Sequence, residues 1–315
     1  MEERCRFRPP EEGRQLTWEV TRYCNLLCDH CCTSSGPSAS RIDEPPLETM
    51  IAVARSLVAA DVSKVQFSGG EPFLRRGFLD IIEAVDATRV QIHIASNGYW
   101  LPDRSIRRMV DAGVHKLSVS VDGGDADEHD LLRRRIGAFT KTLSGIERAV
   151  SAGIRVGVSV TVTPRNVRSL DALLNRLCGI GVYDVSLHSV LPVGRASEHP
   201  ELQFGVSDGV VFRDEVLWLQ QAFSQRIVFD HSFDSAGSRS GTGCPAQARL
   251  LHIDPAGDVS PCSWLYKLDP RAFTLGNITD DAFVEIVSRG CNELERAREL
   301  GDQCILPFVS RRVSR

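Results

Sequence analysis

The chain has 315 residues, 42% hydrophobic and 25% charged, which suits one large α/β domain with a small appendage in a water-soluble protein. With 37 basic against 41 acidic residues the net charge is −4, which gives no electrostatic case for binding nucleic acid or a membrane surface. No apolar run approaches the roughly 18 residues of a membrane span and residues 1–14 lack the apolar core of a secretory signal, so the expected location is the cytoplasm, where ten cysteines suggest metal ligands or reactive thiols rather than disulfides.

In chain order, strand signals fall at 16–22, 64–68, 90–96, 116–121, 155–163 and 184–190, with helical stretches at 47–60, 77–87, 103–112, 139–152 and 169–178. Alternating strands and helices imply a parallel sheet with helices outside, and six such units fall short of the eight of a closed barrel. The expected fold is α/β, a partial (β/α)6 barrel. The strands alternate rather than reading as continuous apolar runs. Leu117, Val119 and Val121 oppose Ser118, Ser120 and Asp122; Ile92 and Ile94 oppose Gln91, His93 and Asn97; Ser186 and His188 share a face. A side-chain period of two puts one face under the helices and makes the other a polar lumen fit for a polar ligand and water. Near residue 240 the rhythm stops, which places a barrel over residues 1–235 and a small C-terminal module over 236–315.

Directly after the first strand comes Cys24-Asn25-Leu26-Leu27-Cys28-Asp29-His30-Cys31. Three thiolates on one short loop can ligate three irons of a cubane and leave the fourth iron open. Zinc is the alternative, with His30 or Cys32 as a fourth ligand.

The strand ends carry further motifs: Ser68-Gly69-Gly70-Glu71-Pro72, Ser96-Asn97-Gly98, Ser120-Val121-Asp122-Gly123, His129-Asp130-Leu131-Leu132-Arg133 and Leu191-Pro192-Val193-Gly194-Arg195-Ala196. In their order and placement they resemble the radical S-adenosylmethionine superfamily. The resemblance implies a [4Fe–4S] cluster on Cys24, Cys28 and Cys31 with S-adenosylmethionine on its open iron. It further implies that Gly69, Gly70 and Glu71 serve the amino group of the methionine moiety. Ser96, Asn97, Ser120 and Asp122 would contact the ribose and methionine, Arg133 would pair with the carboxylate, and Leu191 would complete the set. In such enzymes one electron cleaves the cofactor and the 5′-deoxyadenosyl radical takes a hydrogen atom from an unactivated C–H bond. A flavodoxin or ferredoxin is the implied reductant.

A second group of cysteines follows. Cys244 and Cys262 flank a predicted hairpin, 249–253 and 258–260, around the turn Asp254-Pro255-Ala256-Gly257, so its ends should bring them together. This spacing, with Leu275-Gly276-Asn277-Ile278 and a helix from Asp281, resembles the SPASM/twitch extensions that carry auxiliary iron–sulfur clusters. Cys304 completes the candidate set, and Cys291, in the predicted helix, is a ligand or a helix-face thiol. The cysteine count favours the twitch form with one auxiliary cluster. Cys5, Cys32 and Cys178 read as structural thiols.

The favoured activity is oxidation of a small polar substrate (a sugar, aminocyclitol or nucleoside) in secondary-metabolite or antibiotic biosynthesis, by similarity to twitch-type dehydrogenases. Glu19 and His188 are the candidate bases, each with a satisfied lumen residue as the alternative. A second reading is a ribosomal-peptide maturase that crosslinks or epimerises, against which stands the short stretch before the first strand, with no fused recognition domain expected. A third is redox-neutral decarboxylation of a sugar acid.

Overall fold

The computed structural model describes residues 13–204, 208–223, 228–231 and 246–291. Among these the strands β1 (Arg14–Glu19), β2 (Val62–Ser68), β3 (Gln91–Ser96), β4 (Lys116–Ser120), β5 (Val156–Val162), β6 (Asp184–Ser189), β7 (Val228–His231), β8 (Leu250–Ile253), β9 (Asp258–Ser260) and β10 (Gly276–Asn277) form one sheet. Its order is β10-β9-β8-β1-β2-β3-β4-β5-β6-β7. From β8 to β7 every pairing is parallel, while β8, β9 and β10 pair antiparallel.

Parallel neighbours need crossovers. These are supplied by α1 (Leu47–Ser56), α2 (Phe78–Glu83), α3 (Asp103–Asp111), α4 (Ala126–Arg133) with α5 (Ala138–Ser151), α6 (Leu170–Ile180) and α7 (Asp208–Phe223). The helices cover the face that carries Trp18, Phe67, Ile94, Leu117, Val156 and Val185, all buried. Trp18, Phe67 and Ile94 are register partners across β1–β3, and Phe67 meets Phe78 of α2 edge-on at 5.6 Å between ring centroids. Burying each such side chain stabilises the fold by about 1.5–3 kcal/mol. The opposite face carries Thr17, Gln66 and His93 in one register row, and Ser159 with Ser186 and Thr161 with His188 in others. The expected polar face is present.

All six predicted strands are present, and the sheet is the expected partial barrel extended at both edges. β7 adds a strand beyond β6. At the other edge, β8 of the predicted hairpin pairs parallel with β1, so the hairpin continues the barrel sheet. β1 ends at Glu19, not Arg22, because Thr21 and Tyr23 turn aside to accept the amides of Gly70 (2.7 Å) and Glu71 (2.9 Å). Helix α4 went unread: its eight residues bury only His129, Leu132 and Arg133, and its clearest signal is the N-cap Asp125, which accepts from Glu128 N at 3.0 Å. The predicted helix carrying Cys291 ends earlier. That helix covers Phe283–Ser288, and Arg289 is already extended. Cys291 is therefore a buried thiol beyond the helix and not a helix-face residue. Among the described residues no helix is long and apolar enough to cross a membrane.

Candidate active site

The three-cysteine loop lies over the C-terminal ends of the strands, where parallel α/β folds hold their ligands. It is fastened from three sides. Cys24 N donates to Gly36 O (3.2 Å), Asp29 N donates to Leu132 O of α4 (3.1 Å), and Arg195 donates to Cys28 O (2.8 Å) and Ser35 O (2.6 Å). Cys24 and Cys28 are buried and Cys31 is half-buried, all as free thiols. Each sulfur has a polar neighbour: Asn97 Nδ2 at 3.6 Å from Cys24, Arg133 Nη1 at 3.8 Å from Cys28 and Thr33 Oγ1 at 3.3 Å from Cys31. Burial pushes the Cys24 thiol up to about 12 and that of Cys28 up to about 11, so these groups become thiolates only beside a strong cation.

Three cysteines on one loop suit a cubane, in which each thiolate binds its own iron. The His30 Nε2 lies 3.5 Å from Asp122 Oδ2, and burial lowers its pKa to about 4, keeping it neutral. The loop, its donor set and the buried, unpartnered Arg133 Nε fit a cluster with an anionic ligand.

Several predicted cofactor residues act as ties between strand ends. Gly69 has φ +132°, and a Cβ on Gly69 or Gly70 would overlap the carbonyls of Thr21 and Tyr23. Their glycine character is required by the close approach of the β2 end to the cysteine loop. Gly70 N is used on Thr21, so carbonyl oxygens are what this turn has left for an ammonium group. Glu71 is buried and accepts from Ser96 Oγ (2.9 Å) and Asn97 N (2.8 Å), which locks β2 to β3; burial pushes its pKa up to about 7 against those bonds. Asn97 also donates to Asn25 Oδ1 (2.8 Å).

Asp122 and Arg133 are likewise not poised as free contacts. Asp122 is fully buried, accepts from Thr161 N (2.7 Å) and pairs with Arg133 Nη2 (2.5 Å). The guanidinium thus bridges Asp122 and the Cys28 sulfur, with only Nε left over. Ser120 and Leu191 are half-buried, at the end of β4 and just beyond β6.

Beside the loop lies a cavity of about 460 Å³, walled by Cys32 to Glu44, by Val193 and Gly194, and by Asp254 to Lys267 of the C-terminal hairpin and helix α8 (Ser263–Leu268). Glu19 and Cys32 reach it from the barrel side. Glu19 Oε1 is 2.5 Å from Lys267 Nζ and 3.5 Å from His252 Nε2; burial raises its pKa, but these partners hold it at about 2. The Glu19 carboxylate, a candidate base from the sequence, is thus engaged in an ion pair that fixes the cavity wall. His188 is half-buried on the lumen face, opposite Thr161. Arg22 pairs with Asp254 (2.8 Å), and Tyr266 donates to Asp254 (3.0 Å). Sequence reasoning missed Arg22, Asp43, Asp254, Tyr266 and Lys267, and it took Cys32 for a structural thiol rather than a wall of this cavity. Their one signal was proximity to the cysteines.

For the second cysteine group, Cys262 is buried at the start of α8 and Cys291 is buried with Sγ 4.0 Å from Ala272 O. Gln247 joins their neighbourhoods: its N donates to Pro261 O (3.0 Å) and its side chain to Arg289 O. Cys244 and Cys304 lie outside the described residues.

Comparison with known proteins agrees with this geometry. The radical SAM superfamily profile matches residues 18–177, and the SPASM iron–sulfur cluster-binding domain matches residues 244–305. The chain is 30% identical over 304 residues to the AdoMet-dependent heme synthase of Nitratidesulfovibrio vulgaris, covering 86% of this chain and 77% of that one. It is 27% identical over 294 residues to the mycofactocin maturase MftC of Mycobacterium tuberculosis, covering 90% and 72%. The structure of Streptococcus suis SuiB bound to S-adenosylmethionine superposes with a TM-score of 0.72 at 14% identity, covering 87% of this chain and 65% of SuiB. SuiB bound to its precursor peptide SuiA gives 0.73 at 14%, covering 93% and 70%. At that identity the likeness speaks to the fold alone.

Proposed function

The chain belongs to the radical SAM superfamily and is an enzyme that works with a [4Fe–4S] cluster, S-adenosylmethionine and an auxiliary iron–sulfur cluster; on that premise we propose that it is a peptide maturase, acting on a C–H bond of a residue in a precursor peptide. When bound and reduced, the cofactors supply a carbon-centred radical able to take that hydrogen atom. The residues proposed to hold them are Cys24, Cys28 and Cys31 for the first cluster and Cys244, Cys262, Cys291 and Cys304 for the auxiliary site. Arg133 and Asn97 lie against the thiolate sulfurs, where hydrogen bonds tune cluster potential. The Gly69–Gly70 turn, Ser120 and Leu191 line the approach for the cofactor, and His188 remains the lumen group placed to move a proton.

The observation that carries the reading is the cavity between the cysteine loop and the C-terminal hairpin, whose wall mixes apolar surface with charged groups. Its charged lining is mixed, with Glu19, Asp43, Glu44 and Asp254 against Arg22 and Lys267. Such a wall suits a peptide segment, with its amides and side chains of either sign. Of the lining carboxylates, Glu19 pairs with Lys267, Asp254 with Arg22 and Glu44 with Arg75, so the wall offers near-neutral paired groups rather than a field of one sign. Among the relatives MftC is a maturase, and a precursor peptide is what SuiB holds. The sugar, aminocyclitol or nucleoside reading draws no support from these relatives, and it gives way to the maturase reading. The outcome on the peptide, crosslinking or epimerisation, is read by mass. The reconstituted enzyme is incubated with candidate precursor peptides, drawn from any short reading frame found beside its gene, in water and in D2O. Loss of two hydrogens marks a crosslink, and deuterium gain marks epimerisation. If a sugar or aminocyclitol accelerates 5′-deoxyadenosine formation and the peptide does not, the maturase reading is wrong.

A further inference from the structure

The cysteine loop borders a surface patch that none of the chemistry above uses. Leu132 O of α4 accepts from Asp29 N (3.1 Å), so the last turn of that helix is hydrogen-bonded to the loop. On either side of the buried Leu132 and Arg133, Leu131 is 61% exposed and Ile136 is 94% exposed. The turn that carries Ile136 is rigid: the Asp130 carboxylate accepts from Gly137 N (2.5 Å) and Phe139 N (2.8 Å). One exposed isoleucine is ordinary by itself; what distinguishes this one is that it sits on a fixed turn next to the charged group around Tyr99.

Tyr99 links this patch to the cluster ligands. Its ring packs against the apolar group of Cys24, Leu26 and Cys28. Its hydroxyl accepts from Arg135 (3.3 Å) and Lys141 (2.9 Å), whose cations lie 5.3 and 4.4 Å from the ring centroid. Both cations are exposed, and among the described residues neither pairs with a carboxylate. The neighbouring acids are already engaged: Asp29 pairs with Arg134 (2.6 Å) and His199, and Glu201 with His199 (3.1 Å) and Arg165. Two unneutralised cations share one phenol beside two exposed aliphatic side chains. An apolar centre with a charged rim is the pattern of a transient protein interface, and its field selects an anionic partner.

We propose that Tyr99, Leu131, Arg135, Ile136 and Lys141 form the docking surface for a small acidic one-electron carrier protein that reduces the cluster. This rests on the assignment of Cys24, Cys28 and Cys31 as cluster ligands. The step transfers one electron: the carrier is oxidised, the cluster is reduced, and no bond forms or breaks. Docked here, the carrier would sit over the Tyr99 ring, which separates the patch from the buried sulfurs.

The test compares two electron sources on the reconstituted full-length enzyme, reduced flavodoxin as the acidic carrier and dithionite as a small reductant that needs no docking. R135E/K141E should slow flavodoxin-driven 5′-deoxyadenosine formation about tenfold or more at low salt, with the dithionite-driven rate unchanged. Ile136→Glu should show the same selective loss. In the wild type the flavodoxin-driven rate alone should fall as salt is raised. Equal flavodoxin-driven rates in wild type and R135E/K141E, or an equal loss with both reductants, would overturn the docking site. A wild type that does not cleave S-adenosylmethionine even with dithionite would instead overturn the cluster assignment, and the docking site with it.

Discussion

Replacing Lys267 by Met probes how the C-terminal module is fixed to the barrel. Glu19 ends β1, Lys267 lies on α8, and their 2.5 Å pair forms one wall of the cavity. Burial disfavours the Glu19 carboxylate, yet His252 and Lys267 hold its pKa at about 2 against an ordinary 4.5. A carboxyl depressed in the folded state stabilises above its unfolded pKa and loses that contribution as pH falls toward the folded one. The contribution here is on the order of 3 kcal/mol at neutral pH, lost between roughly pH 4.5 and 2. Lys267→Met leaves a buried carboxylate with His252 as its remaining partner. Breaking such a pair costs about 3–5 kcal/mol, and the retained histidine sets the expectation at the lower end. Urea unfolding of wild type, Lys267→Met, Glu19→Gln and the double variant near neutral pH yields the coupling energy. About 2 kcal/mol or more is expected. A coupling below about 0.5 kcal/mol would place the pair with ordinary surface ion pairs and refute the clamp.

Replacing Cys24, Cys28 and Cys31 together by Ala should remove about four irons and abolish 5′-deoxyadenosine formation; iron assay and chromatography check both, and persisting cleavage would contradict the ligand assignment. In that background Cys291→Ala should remove the remaining iron–sulfur absorption, and an unchanged spectrum would exclude Cys291 as a ligand. Arg133→Ala should destabilise the fold by about 3–5 kcal/mol, because it leaves Asp122 buried without its cation; a denaturation midpoint equal to wild type would show that the pair is dispensable. From the sequence, Arg133 has a part in pairing with the cofactor carboxylate, and the Asp122 pair adds a part in folding.

The strands were legible because their alternation is local. Ile92 and Ile94 against Gln91 and His93 set both the period and the buried face without reference to anything distant. The extra edge strands were not, since the parallel pairing of Leu250–Ile253 with β1 depends on a partner more than two hundred residues away. The cysteine loop and the glycine turn were legible as chemistry that few other folds require. The cavity wall was not. Lys267 looks like any lysine of a short amphipathic helix until Glu19 is found opposite it, and Cys32 looks structural until the space beside it is seen. Asp122 and Glu71 were placed correctly at strand ends, yet sequence alone does not say whether a strand-end carboxylate faces a ligand or the amide of the next strand.

That last ambiguity explains how the site is built. Gly70 N on Thr21 O joins the ends of β1 and β2, Glu71 on Asn97 N joins β2 to β3, and Asp122 on Thr161 N joins β4 to β5. Asn166 donates to Asp122 O (2.7 Å) and Thr161 O (2.8 Å), doubling the last tie. Burying carboxylates is costly unless their lone pairs are filled, and backbone amides fill them here. The result is a rim whose strand ends cannot shift independently, the preorganisation a radical site needs if one C–H bond is to be presented and water kept out. The motifs of the strand ends therefore describe the rim more than the ligand. Apart from the Glu19–Lys267 clamp, the cavity is walled by loops and by the hairpin, on residues that bear none of these ties, so that part of the lining can change without loosening the rim. One fixed rim with a replaceable wall is a physical reason why the chain shares its scaffold with both a haem synthase and a maturase, and why its substrate has to be sought in the wall.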